Sequence, residues 1–395
     1  MDEAVAPSHG ERSVMNQDAP TVSVVIVNHN LKGMLIRCLE SVLRTRYPSF
    51  EILVVDNASS DGSVESIARK FRDATNLKVL ANFNNLGYAR GNNLGIAASS
   101  GKYVAILNND TIVDADWLKE AVSAFESNTG TGVAQCRLLT FDGSRIDSCG
   151  DIVDTFGLAF RRGNGEPSAG RYQSVEEVFS ARGAALVVLK EIFESVGGLD
   201  SSLFLSYEDI DLSWRVRLAG YKVLYVPKSI VYHVGGASMP SEDSSTKVYY
   251  DTRNYLTVFL KNSSFSSVTV FNAQTIVIAS AIVDLIFRRK PLLFLARGIA
   301  VLSVLRSLGT IWTSRASVKR VTLQGSSQEV KDVMLKSGYS RLLILFLFKI
   351  RYGERAANML LTYWYDEQMR SGFTPTQFNL EGSSQKRDSG PSSSR

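Results

Sequence analysis

The chain has 395 residues, 45% hydrophobic and 21% charged, which supplies a sizeable core and excludes bulk disorder. Its formal net charge of +5 suits anionic small molecules or lipid headgroups and does not by itself imply nucleic acid. The three cysteines, Cys38, Cys136 and Cys149, form no CxxC pair and no even-numbered framework, so neither disulfide scaffolding nor a structural zinc site is expected.

Residues 1–20 are polar and lack the apolar centre of a signal peptide, so they read as a loose tail and a cytosolic location is expected. From Thr21 the pattern changes. Val22-Ser23-Val24-Val25-Ile26-Val27 is a nearly continuous β-branched run, the mark of a strand covered on both faces. Residues 31–44 carry a helical stripe of Leu31, Leu35, Leu39 and Val42. Ile52 to Val55 reads as a second strand, followed by a helix capped by Asp61 or Ser63 and running to about Phe71. Leu77 to Ala81 is a third strand, Tyr88 to Ala98 a helix, and Tyr103 to Leu107 a fourth strand. Residues 130–260 read as mixed α and β. The alternation predicts an α/β fold with a mostly parallel central sheet flanked by helices, in which ligands bind beyond the carboxyl ends of the strands.

Three polar clusters stand at that rim: Asn28-His29-Asn30, Asp56-Asn57 and Asn108-Asn109-Asp110. Asp56 can accept hydrogen bonds from a ribose or a base, and His29 can stack on a base or be a plain loop residue. Asn85 to Gly95 holds three glycines but matches neither GxGxxG nor a P-loop. Those glycines allow close approach of a ligand or a neighbouring element, and Arg90 is a candidate diphosphate contact. Asp110 can hold a hard divalent cation together with donor phosphates, or close an ordinary Asx turn. Glu208 and Asp209 precede the helical stripe of Leu212, Val216 and Ala219, so they sit at a helix N-terminus where anions are stabilised. One of them can act as a base, and Asp211 can be a cap. His233 ends the strand-like run Ser229 to Tyr232, where it can reach a metal or be structural.

Taken together, VSVVIVNHN, VVDNASSDGS, NLGYARGNN, LNND, GGLD, the acids of SYEDIDLSWR and the late VYH resemble the family 2 glycosyltransferases of GT-A fold, over Val22 to Asn254. The pattern is most similar to the rhamnosyltransferase-like and galactofuranosyltransferase-like branches. The resemblance implies an inverting glycosyltransferase that moves a rhamnose-like deoxyhexose or other hexose from a nucleoside-diphosphate sugar to a glycan or lipid-linked acceptor. It implies that Asn28, His29, Asp56, Asn85, Arg90 and Asn109 bind the nucleotide-sugar, and that Asp110 and His233 hold Mg²⁺ or Mn²⁺. Asp209 matches the catalytic base and Glu208 its acidic, acceptor-side neighbour. The chain departs from the family's DxD pattern at Asn108, which replaces the first acid. That departure motivates a second reading, a non-catalytic nucleotide-sugar-binding or scaffold subunit of a polysaccharide assembly complex.

Residues 21–260 are expected to form the catalytic domain, 261–375 a helical, membrane-associated appendage, and 376–395 a second tail. Phe265 to Phe287 is long enough to span a bilayer but contains Asn272, Gln274 and Asp284. Pro291 to Trp312 carries Arg297 and Arg306. A two-span hairpin would place Arg288-Arg289-Lys290 opposite a cytosolic domain, against the positive-inside bias. Helices lying in the interface at the cytoplasmic face of the cell membrane are therefore expected, with packing on the core or on a second subunit of a homo-oligomer as the alternative. Residues 341–364 form a further apolar patch.

Overall fold

A computed structural model of the chain describes residues 21–235, 244–264, 267–323, 326–338, 341–342, 344–345 and 354–371. The two tails, Gly236 and part of the Leu342–Phe348 run lie outside the described residues.

The sheet begins with β1 (Val22–Asn28), β2 (Phe50–Asn57), β3 (Leu77–Asn82) and β4 (Tyr103–Asn108), separated by α1 (Lys32–Val42), α2 (Ser63–Lys70) and α3 (Gly87–Ala97). β5 (Thr111–Val113), α4 (Trp117–Ser127) and β6 (Thr131–Thr140) follow. The next strands are β7 (Ile146–Ser148), β8 (Asp151–Val153), β9 (Ala159–Arg161), β10 (Glu176–Glu177) and β11 (Ala185–Leu189). Then come α5 (Lys190–Ser195), α6 (Glu208–Leu218) and β12 (Lys222–His233). The main order is β10-β12-β6-β11-β4-β1-β2-β3, with β5 on β12 and β7 on β6.

β1 pairs in parallel with β2 on one side and β4 on the other, so the order reverses at β1 and opens a crevice beyond its carboxyl end. Val24 and Ile26 pack with Leu35 and Leu39 of α1 and Trp117 of α4 on one face. Val25 packs on the other face with Ala89 and Ile96 of α3, Phe193 of α5 and Val216 of α6. Both faces are covered, which is why β1 is apolar without alternation. Gly91 and Gly95 of α3 serve this layer. A Cβ on Gly95 would clash with Val25 and lie 2.9 Å from Val55 Cγ2, and one on Gly91 would lie 3.0 Å from both methyls of Val27. The close approach is therefore helix to strand.

Two local readings are refined. α2 starts after Gly62 with no capping side chain, while Asp61 accepts the N–H of Ser63 and also that of Lys32 at the start of α1. β11 runs antiparallel to both neighbours, so one half of the sheet is mixed.

Beyond the sheet lie α7 (Ser245–Asn262), α8 (Ser267–Ile286), α9 (Pro291–Arg306), α10 (Leu308–Val321), α11 (Ser326–Val333) and α12 (Glu354–Ser371). α7, α9, α10 and α11 share one core with the sheet domain: Tyr255, Phe259, Val304, Ile311 and Val330 pack with Phe179, Ile210 and Trp214. α12 docks through Asp366, which pairs with Arg162 and Arg171.

Candidate active site

The carboxyl ends of β1, β2 and β4 meet in a chain of buried amides and carboxylates. Asn109 Nδ2 donates to Asn28 Oδ1 at 2.7 Å, and Asn28 Nδ2 donates to Asp56 Oδ1 at 3.0 Å. Ser59 donates its backbone N–H to Asp56 Oδ2 at 2.9 Å and its hydroxyl to Oδ1 at 2.6 Å. The structure thus brings Asn28, Asp56 and Asn109 together. His29 stands exposed beside them, its Nδ1 2.8 Å from the carbonyl of Asn57. Asn85 accepts the N–H of Gly87 and so opens α3, on which Arg90 is exposed. Among the described residues Arg90 makes no hydrogen bond or ion pair with the site carboxylates.

Asp110 follows β4 and is buried. Its Oδ1 makes no well-directed hydrogen bond and faces Nε2 of His233 at 3.4 Å. β12 carries His233 there by pairing it with Thr111 of β5, and Val234 N–H donates to the carbonyl of Asp110. The other ring nitrogen, Nδ1, lies 2.9 Å from Asp147 Oδ2, and Asp147 Oδ1 pairs with Arg161 at 2.9 Å. Burial opposes the charge of His233, but Asp110 and Asp147 outweigh it and raise its pKa to about 9. Burial likewise opposes ionisation of Asp147, yet His233, Arg182 and Arg161 hold its carboxyl well below the usual carboxylate range. A buried carboxylate oxygen without a hydrogen bond, beside an imidazole whose far nitrogen is held by a second carboxylate, fits a divalent cation. Asp110 and His233 would provide two ligands, and among the described residues no cluster of three His, Cys, Asp or Glu is arranged to hold an ion.

Glu208 and Asp209 open α6, as their position before the helical stripe predicts. Ser206 and Tyr207 just ahead adopt left-handed backbone, φ 67° and 70°, which side chains other than glycine rarely hold. Asn254 of α7, fully buried, clamps the turn by donating to the carbonyls of Leu205 and Ser206 at 2.6 and 2.9 Å. Asp209 Oδ2 accepts the N–H of Gly183 at 2.9 Å. Glu208 is buried with Oε2 unpartnered; burial, then the charge of Asp209, push its pKa up to about 8. Asp211 is not a simple cap: its carboxylate pairs with Arg215 and Lys261 at 2.7 Å and with Asn262 at 2.8 Å. Arg215 also donates to the carbonyls of Val196 and Gly198, so this network seats the Gly197-Gly198-Leu199-Asp200 turn.

Two residues that sequence reasoning did not single out join the halves of the site. Tyr88 of α3 donates its hydroxyl to the carbonyl of Gly183 at 2.6 Å. Burial raises its pKa well above the usual phenol value, and the charges of Glu208, Asp209 and Asp110 act in the same direction. Arg182 pairs with buried Asp151 at 3.2 Å. Burial works against its charge, and Asp151, Asp209 and Asp147 outweigh that and raise its pKa.

Family models match the chain as glycosyl transferase family 2 over residues 23–172 and glycosyl transferase family group 2 over residues 103–364, the latter about two thirds of the chain. The chain belongs to the family 2 glycosyltransferases. Glycosyltransferase AglE of Haloferax volcanii is 32% identical over 55% of this chain and 68% of its own length. An uncharacterised protein, y4gI, of Sinorhizobium fredii is 34% identical over 58% of this chain, and the O-antigen biosynthesis protein RfbC of Myxococcus xanthus 28% identical over 55%. The chain spans only 26% and 18% of those two relatives. A crystal structure of GalNAc-T7 with UDP, GalNAc and Mn²⁺ superposes with a TM-score of 0.50 at 19% identity, over 62% of this chain and 48% of that one. That likeness concerns the fold, and the fold of this glycosyltransferase chain is GT-A, with its sheet, crevice and helical C-terminal region as described.

Proposed function

We propose that the chain transfers a sugar from a nucleoside-diphosphate donor to an acceptor hydroxyl with inversion of configuration, in the assembly of a glycan or polysaccharide. The observation that carries this reading is the placement of Asp209. Its Oδ2 is aimed by the Gly183 N–H, and the carbonyl of the same Gly183 accepts the hydroxyl of Tyr88 from α3, the helix packed on the rim strands β1 and β2. A base on the acceptor side and a cation site on the donor side are what a single displacement requires.

Asn28, Asp56, Asn109 and His29 line the nucleoside end, with Asn85 and Arg90 at the start of α3 towards the diphosphate. Asp110 and His233 would hold Mg²⁺ or Mn²⁺, which when bound would offset the charge of the departing nucleoside diphosphate. Asp209 takes the proton of the acceptor hydroxyl as its oxygen bonds to the anomeric carbon. The bond from that carbon to the diphosphate oxygen breaks, and its electron pair leaves with the nucleotide. Glu208, kept protonated to about pH 8, donates a hydrogen bond to the acceptor. Rhamnose-like deoxyhexoses or other hexoses are the proposed donors, with a glycan or lipid-linked acceptor at the cytoplasmic membrane face. The names of RfbC and of a Staphylococcus epidermidis poly-β-1,6-N-acetyl-D-glucosamine synthase, 25% identical over 217 residues, support glycan assembly.

The test is a panel of UDP-, GDP- and dTDP-sugars with Mn²⁺ or Mg²⁺, read by thermal shift and by donor consumption. One nucleotide class is expected to stabilise the protein in a metal-dependent way. Asp209→Asn is expected to keep that shift and lose turnover. An Asp209→Asn variant that transfers sugar normally, or retains full function in the cell, overturns the catalytic role and favours the scaffold reading that Asn108 motivates.

A further inference from the structure

α9 is apolar on every side. Leu293, Ala296, Ala300 and Val304 face inward and are buried, Leu293 and Ala296 against Val248 of α7. Leu292, Leu295, Ile299, Leu302 and Leu305 face outward, with Leu292 69% and Ile299 57% exposed. A helix that is hydrophobic all round needs cover on both faces. The outer face continues onto α8, where Ile278, Ile282, Ile286 and Phe287 are exposed, and onto Trp312 of α10. Between α8 and α9 runs an apolar groove of about 470 Å³.

Charge says what covers it. Residues 267–323 hold eight Lys or Arg and a single acid, Asp284, a larger excess than the +5 of the entire chain. Asp284 is 1% exposed and is bound by Arg288 and Arg297 at 2.8 Å each, so it presents no negative charge outward. Arg288 and Arg289 are exposed at the α8–α9 turn, beside the apolar crest, and Arg306, Lys319 and Arg320 are exposed further along. A second copy of the chain seated on this face would bring like charges together.

We propose that the α8–α10 face docks on an anionic phospholipid surface, with its apolar crest in the interface and its cations among the lipid phosphates. In this arrangement the face lies on the surface. No single described helix is long and apolar enough to span a membrane; α9 and α10 together have the length and composition of a broken span, but they meet at a 65° bend that carries exposed Arg306. The inference goes beyond the proposed reaction and stands independently of it.

The experiment is co-sedimentation of the full chain with vesicles of phosphatidylcholine alone and of equal parts phosphatidylcholine and phosphatidylglycerol, with tryptophan emission followed in parallel. Trp312 is 62% exposed while Trp117 and Trp214 are buried and Trp364 is half-buried against α12's own cluster, so Trp312 is the main reporter of contact and the Trp312→Phe control isolates it. Binding is expected for the anionic vesicles, weakened tenfold or more by high salt, with a blue shift abolished by Trp312→Phe. The triple variant Leu295→Ser, Ile299→Ser, Leu302→Ser and the charge reversal Arg289→Glu are each expected to lose at least tenfold in binding at unchanged Tm. Donor consumption in vesicle-free buffer, measured on the same samples, tests the proposed reaction separately. No sedimentation by the folded wild type overturns the inference. So does unchanged binding by the triple variant, or a dimer that the triple variant dissociates while vesicle binding persists.

Discussion

Asp147 on β7 holds Nδ1 of His233 at the end of β12 from 2.9 Å, across 86 residues of chain, and so turns Nε2 of that ring towards Asp110. Carboxylates in this position fix the tautomer and orientation of a metal-binding imidazole. Asp147→Asn is expected to lower Mn²⁺ affinity about 10- to 100-fold, read by electron paramagnetic resonance of free Mn²⁺ or by calorimetry. Unchanged affinity would show that the ring is positioned without it.

Glu208 ties stability to pH. Its folded pKa, about 8, lies above the ordinary glutamate value of 4.5, so between those values the unfolded chain releases a proton that the folded chain keeps. The unfolded state then binds fewer protons, and stability falls as pH rises through that window. Glu208→Gln removes this contribution. The Tm difference, variant minus wild type, is expected to grow from pH 5 to pH 8; a constant difference in a scanning fluorimetry series would refute the assignment.

Asp211 is fully buried between Arg215, Lys261 and Asn262. Burial opposes its ionisation, and Arg215 and Lys261 outweigh burial and lower its pKa. Asp211→Ala leaves buried Arg215 without its counter-charge and Lys261 with Asp200 alone, and a loss of about 3–5 kcal/mol is typical of a broken buried pair. Denaturant unfolding measures it. The turn over 197–200 should loosen as well, raising its amide exchange.

Gly95 tests the layer between α3 and the sheet. An added Cβ clashes with Val25 and crowds Val55, so Gly95→Ala is expected to destabilise by about 1–3 kcal/mol despite the better helix propensity of alanine. Val25→Ala in the same chain should recover part of that loss, as a double-mutant cycle would report.

Much of the site at the rim of β1, β2 and β4 was legible in the sequence because strands announce themselves locally. A buried parallel strand is a run such as Val22–Val27, and the residue that ends it falls on the sheet's carboxyl rim whatever the rest of the chain does. Asn28, Asp56 and Asp110 were therefore placed from periodicity alone. Glu208 and Asp209 were placed equally well, since the stripe behind them sets the start of α6. Motif order, through resemblance, linked these pieces to a family.

Other relationships depended on contacts between distant segments. Nothing local in Ile146-Asp147-Ser148 marks Asp147 as the partner of His233; β7 reaches it by pairing with β6, which pairs with β12. Tyr88 and Arg182 look like ordinary helix and loop residues until β11 inserts between β4 and β6 and brings Gly183 against Asp209. Gly91 and Gly95 of α3 read as either ligand or packing positions, and only the approach of Val27, Val25 and Val55 decided for packing. An interfacial helix over α9 was an expectation of its composition, but its two faces were not legible. Its composition specifies an apolar helix, but which face α7 takes and which is left outward follows from tertiary packing. Strand and helix identity come from backbone and side-chain preferences over a few neighbours, which the sequence by itself determines. Which side chains meet, and which carboxylate keeps its proton, come from burial and charge contributed by residues far along the chain, and only the tertiary structure decided those.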